Sequence, residues 1–246
     1  MTDSPADDLK PGFRSDVTVE LVKHTASDAD VLFAARVSTA GEQSLDELGK
    51  DPERSKGLIN YLMRDRHGSP FEHNSMTFFI SAPIFVFREF MRHRVGWSYN
   101  EESGRYRELQ PVFYVPGESR KLVQQGRPGK YVFAEGTQAQ QELVGRTMEE
   151  SYLRAYEAYQ EMLSAGVARE VARAVLPVGL FSSMYATCNA RSLMHFLGLR
   201  TQHELAKVPS FPQREIEMVG EKMEAEWAGL MPLTYAAFNA NGRVAP

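Results

Sequence analysis

The stretch SMTFFISAPIFVFREFM, residues 75–91, changes its hydrophobic period in the middle and so indicates the fold class. In residues 75–81 the apolar side chains of one face recur at every second position, which predicts a strand. From Pro83 onwards they recur at helical spacing, so Pro83 begins a predicted helix. That helix should end near Arg94, because Gly96 and the polar residues after it are typical of a turn or loop.

Further predicted elements lie on both sides of this stretch. Alternation that begins at Val17 predicts a strand, and residues 184–187 are a second short candidate. Capping residues, prolines and glycines set the limits of the helices. These helices are expected from Thr25 or Ser27 to about Val37, from Pro52 to Gly68, over residues 137–164 and 168–176, from Asn189 to about Arg200, and from Ser210 to Leu230.

The whole chain is predicted to be one helix-rich α+β domain around an antiparallel or mixed β-sheet, spanning residues 1–246. No internal repeat, linker-like change in composition or low-complexity tract divides it. The polar and acidic residues 1–15 are expected to be flexible. Residues 116–130 form a polar stretch rich in Gly, Pro and Arg, which is long enough to serve as a mobile flap.

Composition excludes several classes of protein. A net charge of −4 and a pI near 5.9 argue against a general nucleic-acid binder, whose surface is broadly basic. The single cysteine, Cys188, permits neither an intrachain disulfide nor a cysteine-based zinc site. No apolar run resembles a secretory signal or approaches membrane-spanning length. We therefore expect a cytoplasmic protein without nucleic-acid or membrane partners, in which any anion site is local.

The basic residues are mostly arginine, and one segment is basic through arginine alone. The chain has 20 Arg against 8 Lys, and residues 88–107 hold five Arg and no Lys. Arginine is favoured where a rigid planar fork grips a phosphate or the edge of a heterocycle. A solvated helix balanced by acidic neighbours such as Glu89, Glu101, Glu102 and Glu108 explains the composition equally well. Composition alone leaves the two interpretations even.

Residues 92–106, RHRVGWSYNEESGRY, carry the chemistry that separates these interpretations. They place three basic groups at the end of a predicted helix, which is costly unless an anion or carboxylates neutralise them. Ser103 and the backbone N–H of Gly104 can approach phosphate oxygens closely, and Glu101 can accept hydrogen bonds from a ribose or a base. The pattern therefore favours a loop that binds nucleotide phosphate over a structural salt-bridge network.

The same run resembles the signature of the flavin-dependent (ThyX-type) thymidylate synthases. That signature is RHR, seven variable residues and then Ser, with NExSGRY inside it, and both of its ends are intact here. Eight residues, 95–102, separate Arg94 from Ser103, one more than the common form. The path of residues 95–98 is therefore expected to differ from that form.

Three more blocks resemble the same family. They are HGSPFEH at residues 67–73, GVAREVARAVLP at 166–177 and NARSLMHFLGLR at 189–200. With the signature they cover roughly residues 36–200, so the resemblance extends over most of the chain. It implies a ThyX-like fold, a homotetramer with active sites shared between subunits, and the cofactors FAD and NADPH with 5,10-methylenetetrahydrofolate as co-substrate.

The resemblance also implies roles for individual residues. Arg200 would be the catalytic residue, against the uracil edge, and His67 would face folate and NADPH. The flavin would be bound by Ser69, Arg92, His93, Arg94, Glu101, Asn189, Arg191 and His195. The nucleotide, dUMP, would be bound by Glu89, Arg92, Glu101, Glu102, Ser103, Gly104, Arg105, Arg173 and Arg200.

Three of these roles have a structural alternative. Ser69 before Pro70 could cap a helix, Arg173 could be a solvated arginine on an amphipathic helix, and His195 could be a satisfied core residue. His67 and His73 are six apart, but no cysteine lies near them, so we expect no metal site.

Methylation of C5 in a uridylate requires that this carbon become nucleophilic. Folate-only thymidylate synthases achieve this with an exposed, activated thiol. Cys188 ends a predicted buried strand and is expected to be structural, which favours the flavin-dependent reaction from dUMP to dTMP. Two alternatives remain: a UMP/dUMP C5-methylase of nucleoside-antibiotic synthesis, and a non-catalytic nucleotide- or RNA-binding module. A Rossmann dehydrogenase is disfavoured, because no predicted strand is followed by G-x-G-x-x-G.

Overall fold

The structure is a computed structural model that describes residues 10–40, 51–128 and 130–246. These residues form two compact units. The first unit contains residues 10–17, 81–89, 101–128 and 130–183. The second contains residues 18–40, 51–80, 90–100 and 184–246. That the whole chain is a single domain stays a prediction.

The described residues form eight α-helices and eight strands. The helices are α1 (Asp28–Ala40), α2 (Pro52–Arg64), α3 (Ile84–Phe90), α4 (Gln138–Ser164), α5 (Arg169–Ala172), α6 (Ala190–Arg200), α7 (Arg214–Leu230) and α8 (Pro232–Ala240). The strands are β1 (Gly12–Arg14), β2 (Thr18–His24), β3 (Met76–Pro83), β4 (Trp97–Glu101), β5 (Val112–Tyr114), β6 (Val123–Arg127), β7 (Lys130–Ala134) and β8 (Phe181–Cys188).

The strands form three sheets. The largest has the order β2-β3-β8-β4. In the first unit β1 pairs in parallel with β5, and β6 pairs antiparallel with β7. Helices and mixed sheets together confirm the predicted α+β class. No helix in the described part of the chain is both long and apolar enough to span a membrane.

The core of the first unit is aromatic and is supplied mainly by α4. Thr137 and Gln140 form a reciprocal capping box, which fixes the start of this helix where the sequence predicts it. Tyr152, Tyr156 and Tyr159 recur at helical spacing and are buried. Tyr152 stacks on Phe113 of β5 at 5.0 Å, so the helix packs against the short parallel sheet.

Local capping also determines the helices of the second unit. Asp51 accepts a hydrogen bond from the Arg54 N–H ahead of α2, and Asn189 does the same for Ser192 at the start of α6. Both predicted starts are confirmed. The helix α6 is mostly buried, which positions the residues at its two ends precisely enough for a site.

Several predicted boundaries were wrong because tertiary packing overrides local signals. Residues 97–101 form β4 instead of a loop, since the aromatic rings of Trp97 and Tyr99 pack against Phe90. Accordingly α3 ends at Phe90, ahead of Arg94. The helix α2 also ends earlier than predicted, at Arg64 and ahead of Gly68. The helix α7 begins at Arg214 instead of Ser210, and α8 was not predicted.

Two segments predicted to be irregular are partly ordered. Residues 123–127 of the predicted flap form β6, which pairs with β7 from Val123 opposite Ala134 to Arg127 opposite Lys130. Residues 12–14 form β1, so the expectation of flexibility over residues 1–15 is wrong there. Residues 1–9 of that expectation lie outside the described part of the chain.

Candidate active site

A hydrogen bond between His93 and Arg200 is the centre of the candidate site in the second unit. His93 follows α3 and Arg200 ends α6, and Arg200 Nε donates to His93 Nε2 at 2.9 Å. Burial, with smaller contributions from the cations Arg200 and Arg92 and from His195, lowers the pKa of His93 to about 4. The imidazole is therefore neutral near pH 7 and can accept this bond.

An aromatic cluster holds the turn that carries His93. The Tyr99 hydroxyl donates to the His93 carbonyl oxygen at 2.6 Å, and Tyr99 stacks on Trp97 with ring centroids 5.8 Å apart. The Phe196 ring of α6 lies 4.9 Å from the imidazole. This packing explains why residues 97–101 form a strand, because the strand places both aromatic rings against Phe90.

The chain turns sharply against α6 within residues 95–98, in the part of the signature that is one residue longer than the common form. Gly96 has φ +70°, a conformation that favours glycine, and a Cβ there would overlap the Ser192 hydroxyl. That hydroxyl donates to the Val95 carbonyl oxygen at 3.0 Å. Residues 95 and 96 are therefore docked on the start of α6, which settles the path that the sequence left open.

A cavity of about 350 Å³ opens beside His93 in the second unit. Four of its lining residues were predicted to bind flavin: His93, Arg94, Arg191 and His195. Four others were missed: Glu72, Val95, Trp97 and Ser192. Glu72 lies within the HGSPFEH block, so that block contained the signal that could have identified it.

Arg191 is held at the wall of this cavity. Its Nη1 is 2.5 Å from Glu72 Oε1, and its Nε donates to the Pro246 carbonyl oxygen at 2.6 Å. Gly68 allows the approach, since a Cβ at that position would overlap the guanidinium. Loss of hydration, with the cations Arg191 and Arg66, lowers the pKa of His195. The cavity wall is therefore cationic without protonated histidines.

The side chains of Arg92 and Arg94 are exposed and make no hydrogen bond or ion pair with any described residue. Arg94 lines the cavity together with Arg191, and Arg92 lies two residues before Arg94, so this region carries positive charge that a phosphate-bearing ligand would neutralise. An anionic cofactor such as FAD therefore fits the donor set of this cavity.

The remaining predicted flavin and folate residues of the second unit lie near its surface. His67 is exposed and packs on Tyr61 with ring centroids 5.5 Å apart. Ser69 begins a 3₁₀ turn over Ser69–Glu72, and its side chain caps no backbone group there. The described residues contain no cluster of three or more side chains able to hold a metal ion.

Other predicted nucleotide residues lie in the first unit, where carboxylates neutralise two of the arginines. Arg105 Nε is 2.6 Å from Glu170 Oε2, and Arg107 Nε is 3.2 Å from Glu102 Oε1. The second carboxylate oxygen of Glu102 accepts from the Ser183 hydroxyl at 3.0 Å. The salt-bridge interpretation of this arginine-rich segment thus applies to its C-terminal part.

Arg173 differs from these two arginines. It is half-buried and its side chain makes no hydrogen bond with the described residues, and a Cβ at Gly104 would lie 3.1 Å from its Cδ. Glu101 lies close enough for their charges to interact: burial raises the pKa of Glu101, and Arg173 partly offsets that rise. Ser103 accepts from the Arg105 N–H at 3.3 Å. Glu89, on α3, is half-buried.

Cys188 is buried in β8, and burial raises the pKa of its thiol far above its ordinary value. A protonated, inaccessible thiol is a poor nucleophile. The prediction that Cys188 is structural agrees with this burial.

Comparison with known proteins gives one family over nearly the whole chain. Residues 20–233 match the family model described as "Thymidylate synthase complementing protein". The flavin-dependent thymidylate synthase of Streptomyces avermitilis is 93% identical over 246 residues and is covered completely, as is this chain. The enzyme of that name from Tropheryma whipplei strain TW08/27 is 59% identical, over 97% of this chain and 98% of its own.

A solved structure is also similar. It is the UMP/dUMP methylase PolB from Streptomyces cacaoi bound with 5-Br dUMP, which is 56% identical with a TM-score of 0.89. The match covers 96% of this chain and all of that one. These similarities and the site's own chemistry lead to one conclusion: the chain belongs to the family of flavin-dependent thymidylate synthases, as its motifs predict.

Proposed function

We propose that the chain converts dUMP to dTMP by reductive methylation at C5. Methylenetetrahydrofolate supplies the carbon and NADPH the electrons, and FAD, when bound, transfers hydride. The observation that carries this proposal is the Arg200–His93 pair at the edge of a cationic cavity. Family membership supports the reaction, and the burial of Cys188 argues against nucleophilic attack by a thiol at C6.

Arg200 is the proposed catalytic residue. Its guanidinium is always charged, so it can stabilise a uracil ring that has lost the N3 proton and thereby make C5 electron-rich. The hydrogen bond to His93 fixes the Nε side of the guanidinium. A preorganised cation of this kind stabilises charge without reorganising during the reaction.

The 5′-phosphate is assigned to Arg173, Ser103 and Arg105, with Gly104 providing a backbone N–H. Arg173 is the strongest of these candidates, because no described carboxylate hydrogen-bonds to it. Arg105 must exchange its contact with Glu170 for the phosphate. Glu89, Glu101 and Glu102 complete the proposed nucleotide set.

The flavin is assigned to the cationic cavity of the second unit and its surroundings. Arg92, Arg94 and Arg191 supply positive charge for the phosphates of FAD. The other proposed flavin residues are Ser69, His93, Glu101, Asn189 and His195. His67 is proposed to face folate and NADPH.

A second candidate substrate is UMP. The similar structure named above is a UMP/dUMP methylase, also solved with 5-Br UMP at 55% identity. Turnover of dUMP and UMP by the same preparation separates the two candidates. A kcat/KM for UMP close to that for dUMP supports the broader activity.

We also propose a homotetramer that works in the cytoplasm, with active sites shared between subunits. Family membership supports this assembly. Sedimentation that gives only monomer at working concentration contradicts it.

The proposed function is tested with purified protein in two measurements. A visible spectrum should show bound flavin, and dTMP should form from dUMP when methylenetetrahydrofolate and NADPH are added. A colourless protein that forms no dTMP even with added FAD refutes the proposal. This result would favour a non-catalytic nucleotide-binding role.

A further inference from the structure

A buried ion pair lies directly behind the end of α6. Arg243 has a side chain only 1% exposed, and its two Nη atoms donate to the two carboxylate oxygens of Glu224 at 2.6 and 2.7 Å. Asn239 accepts a further bond at 2.8 Å, and the guanidinium lies 5.0 Å from the Phe238 ring centroid. Every contact is made within the second unit.

The ion pair is connected to Thr201, the residue after Arg200. Arg243 Nη2 donates to the Thr201 hydroxyl at 3.0 Å, and that hydroxyl donates to the Leu197 carbonyl oxygen at 2.8 Å. The Ser210 hydroxyl donates to the Thr201 carbonyl oxygen at 2.5 Å. Thr201 is thus held through both its side chain and its backbone.

The helix α7 packs against the methyl group of Thr201. A Cβ at Gly220 would lie 2.7 Å from Thr201 Cγ2, so α7 can approach this closely only with glycine at that position. The last turn of α6 is therefore fixed in rotation and in height. Arg200 lies on that turn.

This arrangement is difficult to explain as a source of stability. Burying two charges costs several kcal/mol per ion, and well-packed apolar residues commonly do as well or better. Arg243 also has φ +55°, a conformation that costs energy in a residue with a side chain. What a planar fork provides and an apolar side chain lacks is directional placement.

We propose that Arg243, with Glu224 and Thr201, positions the catalytic arginine. The three side chains fix the end of α6 so that Arg200 Nε meets His93 Nε2 and the guanidinium presents its plane to the uracil. This inference rests on the proposed role of Arg200. Arg243 is a positioning residue, since it touches the end of α6 and not the ligand.

The test is Thr201→Val, which keeps the shape of the side chain and removes its hydrogen bonds. Its matched control is Thr234→Val, because Thr234 is also buried and its hydroxyl donates to Asp28 Oδ1 at 2.7 Å, not to Thr201, Glu224 or Arg243. We expect both variants to lose stability, but only Thr201→Val to lose about tenfold in kcat. Thr201→Ser should restore the rate.

An NMR titration of His93 reports the position of Arg200 directly. Burial lowers the His93 pKa most and Arg200 lowers it next, so in Thr201→Val the pKa should rise above about 4, because a displaced Arg200 no longer repels the proton. In Thr234→Val it should not move. Equal kcat losses in both variants with an unmoved His93 titration overturn the proposal.

A different set of results would show that the proposed function fails while the positioning role holds. If Arg200→Ala keeps normal turnover while Thr201→Val still moves the His93 titration, the positioning unit stands and the catalytic role of Arg200 fails. Should Thr201→Val not fold, Arg243→Lys keeps the charge and loses the fork, and the same titration decides. An unmoved His93 pKa in folded Arg243→Lys refutes the positioning role.

Discussion

The two parts of the arginine-rich segment differ in whether carboxylates neutralise their arginines. In the second unit, Arg92 and Arg94 have no carboxylate partner among the described residues, and aromatic packing holds their backbone. In the first unit, Arg105 and Arg107 are paired with Glu170 and Glu102. Proximity in sequence therefore does not make these arginines equivalent.

This contrast indicates where ligand charge is needed. Exposed ion pairs contribute little stability, typically below about 1 kcal/mol, so Arg105 can exchange its partner at small cost. The side chains of Arg92, Arg94 and Arg173 hydrogen-bond to no carboxylate among the described residues, so an incoming anion would supply that partner. A ligand phosphate should therefore depend more on the unpaired arginines than on the paired ones.

The largest expected effect is a loss of kcat when the Arg200 side chain is removed from the candidate site. Arg200→Ala should lower kcat about 10²- to 10³-fold, the usual loss of one preorganised electrostatic donor, and leave the flavin spectrum unchanged. Arg214→Ala is the control, since that arginine pairs with Glu217 and Glu221 on its own helix and so lies outside the proposed site. Normal turnover in Arg200→Ala contradicts the catalytic assignment.

The contrast between paired and unpaired arginines is tested with the nucleotide. Arg173→Ala should raise the KM for dUMP about 10- to 100-fold, as expected for one lost charge-assisted hydrogen bond. Arg105→Ala should raise it less, because its wild-type phosphate contact already competes with Glu170. Steady-state kinetics measure the KM for dUMP in both variants. A larger rise in KM in Arg105→Ala than in Arg173→Ala contradicts the distinction between paired and unpaired arginines.

Replacing the glycine of the turn at residues 95 and 96 is expected to lower the stability of the protein. Gly96→Ala should destabilise by about 1–2 kcal/mol or more, because φ is positive and Ser192 occupies the space of a Cβ. Gly145→Ala, inside α4 with open space around it, should instead stabilise by about 0.5–1 kcal/mol. Thermal denaturation measures both; equal shifts would show that the turn is unstrained.

The smallest effect concerns pH. His93 has a folded-state pKa of about 4 against an ordinary 6.5, so the unfolded chain binds more protons between these values. Stability from this group is complete above pH 6.5 and is lost as pH falls toward 4. His93→Gln should reduce the pH dependence of the melting temperature in that window; His195, whose pKa is also lowered, should account for part of the remainder.

Sequence predicted those features of the site that depend on near neighbours. Asn189 was expected to begin a helix that ends near Arg200, and the structure has α6 between those points. Arg191 and His195, four residues apart on α6, were expected in one ligand site and both line one cavity; the family resemblance added His93 and Arg94, which line the same cavity. Motif spacing records such neighbours because a helix repeats its faces every three to four residues.

What the sequence determined by itself was capping, periodicity and family, since each depends on residue types at short, fixed separations. Only the tertiary structure decided that residues 97–101 form a strand, that Arg200 donates to His93, and that Arg105 pairs with Glu170. The same holds for Arg243, which nothing local marked as important. These contacts join residues distant in the chain, so the free energy that selects them comes from packing and burial of the folded whole.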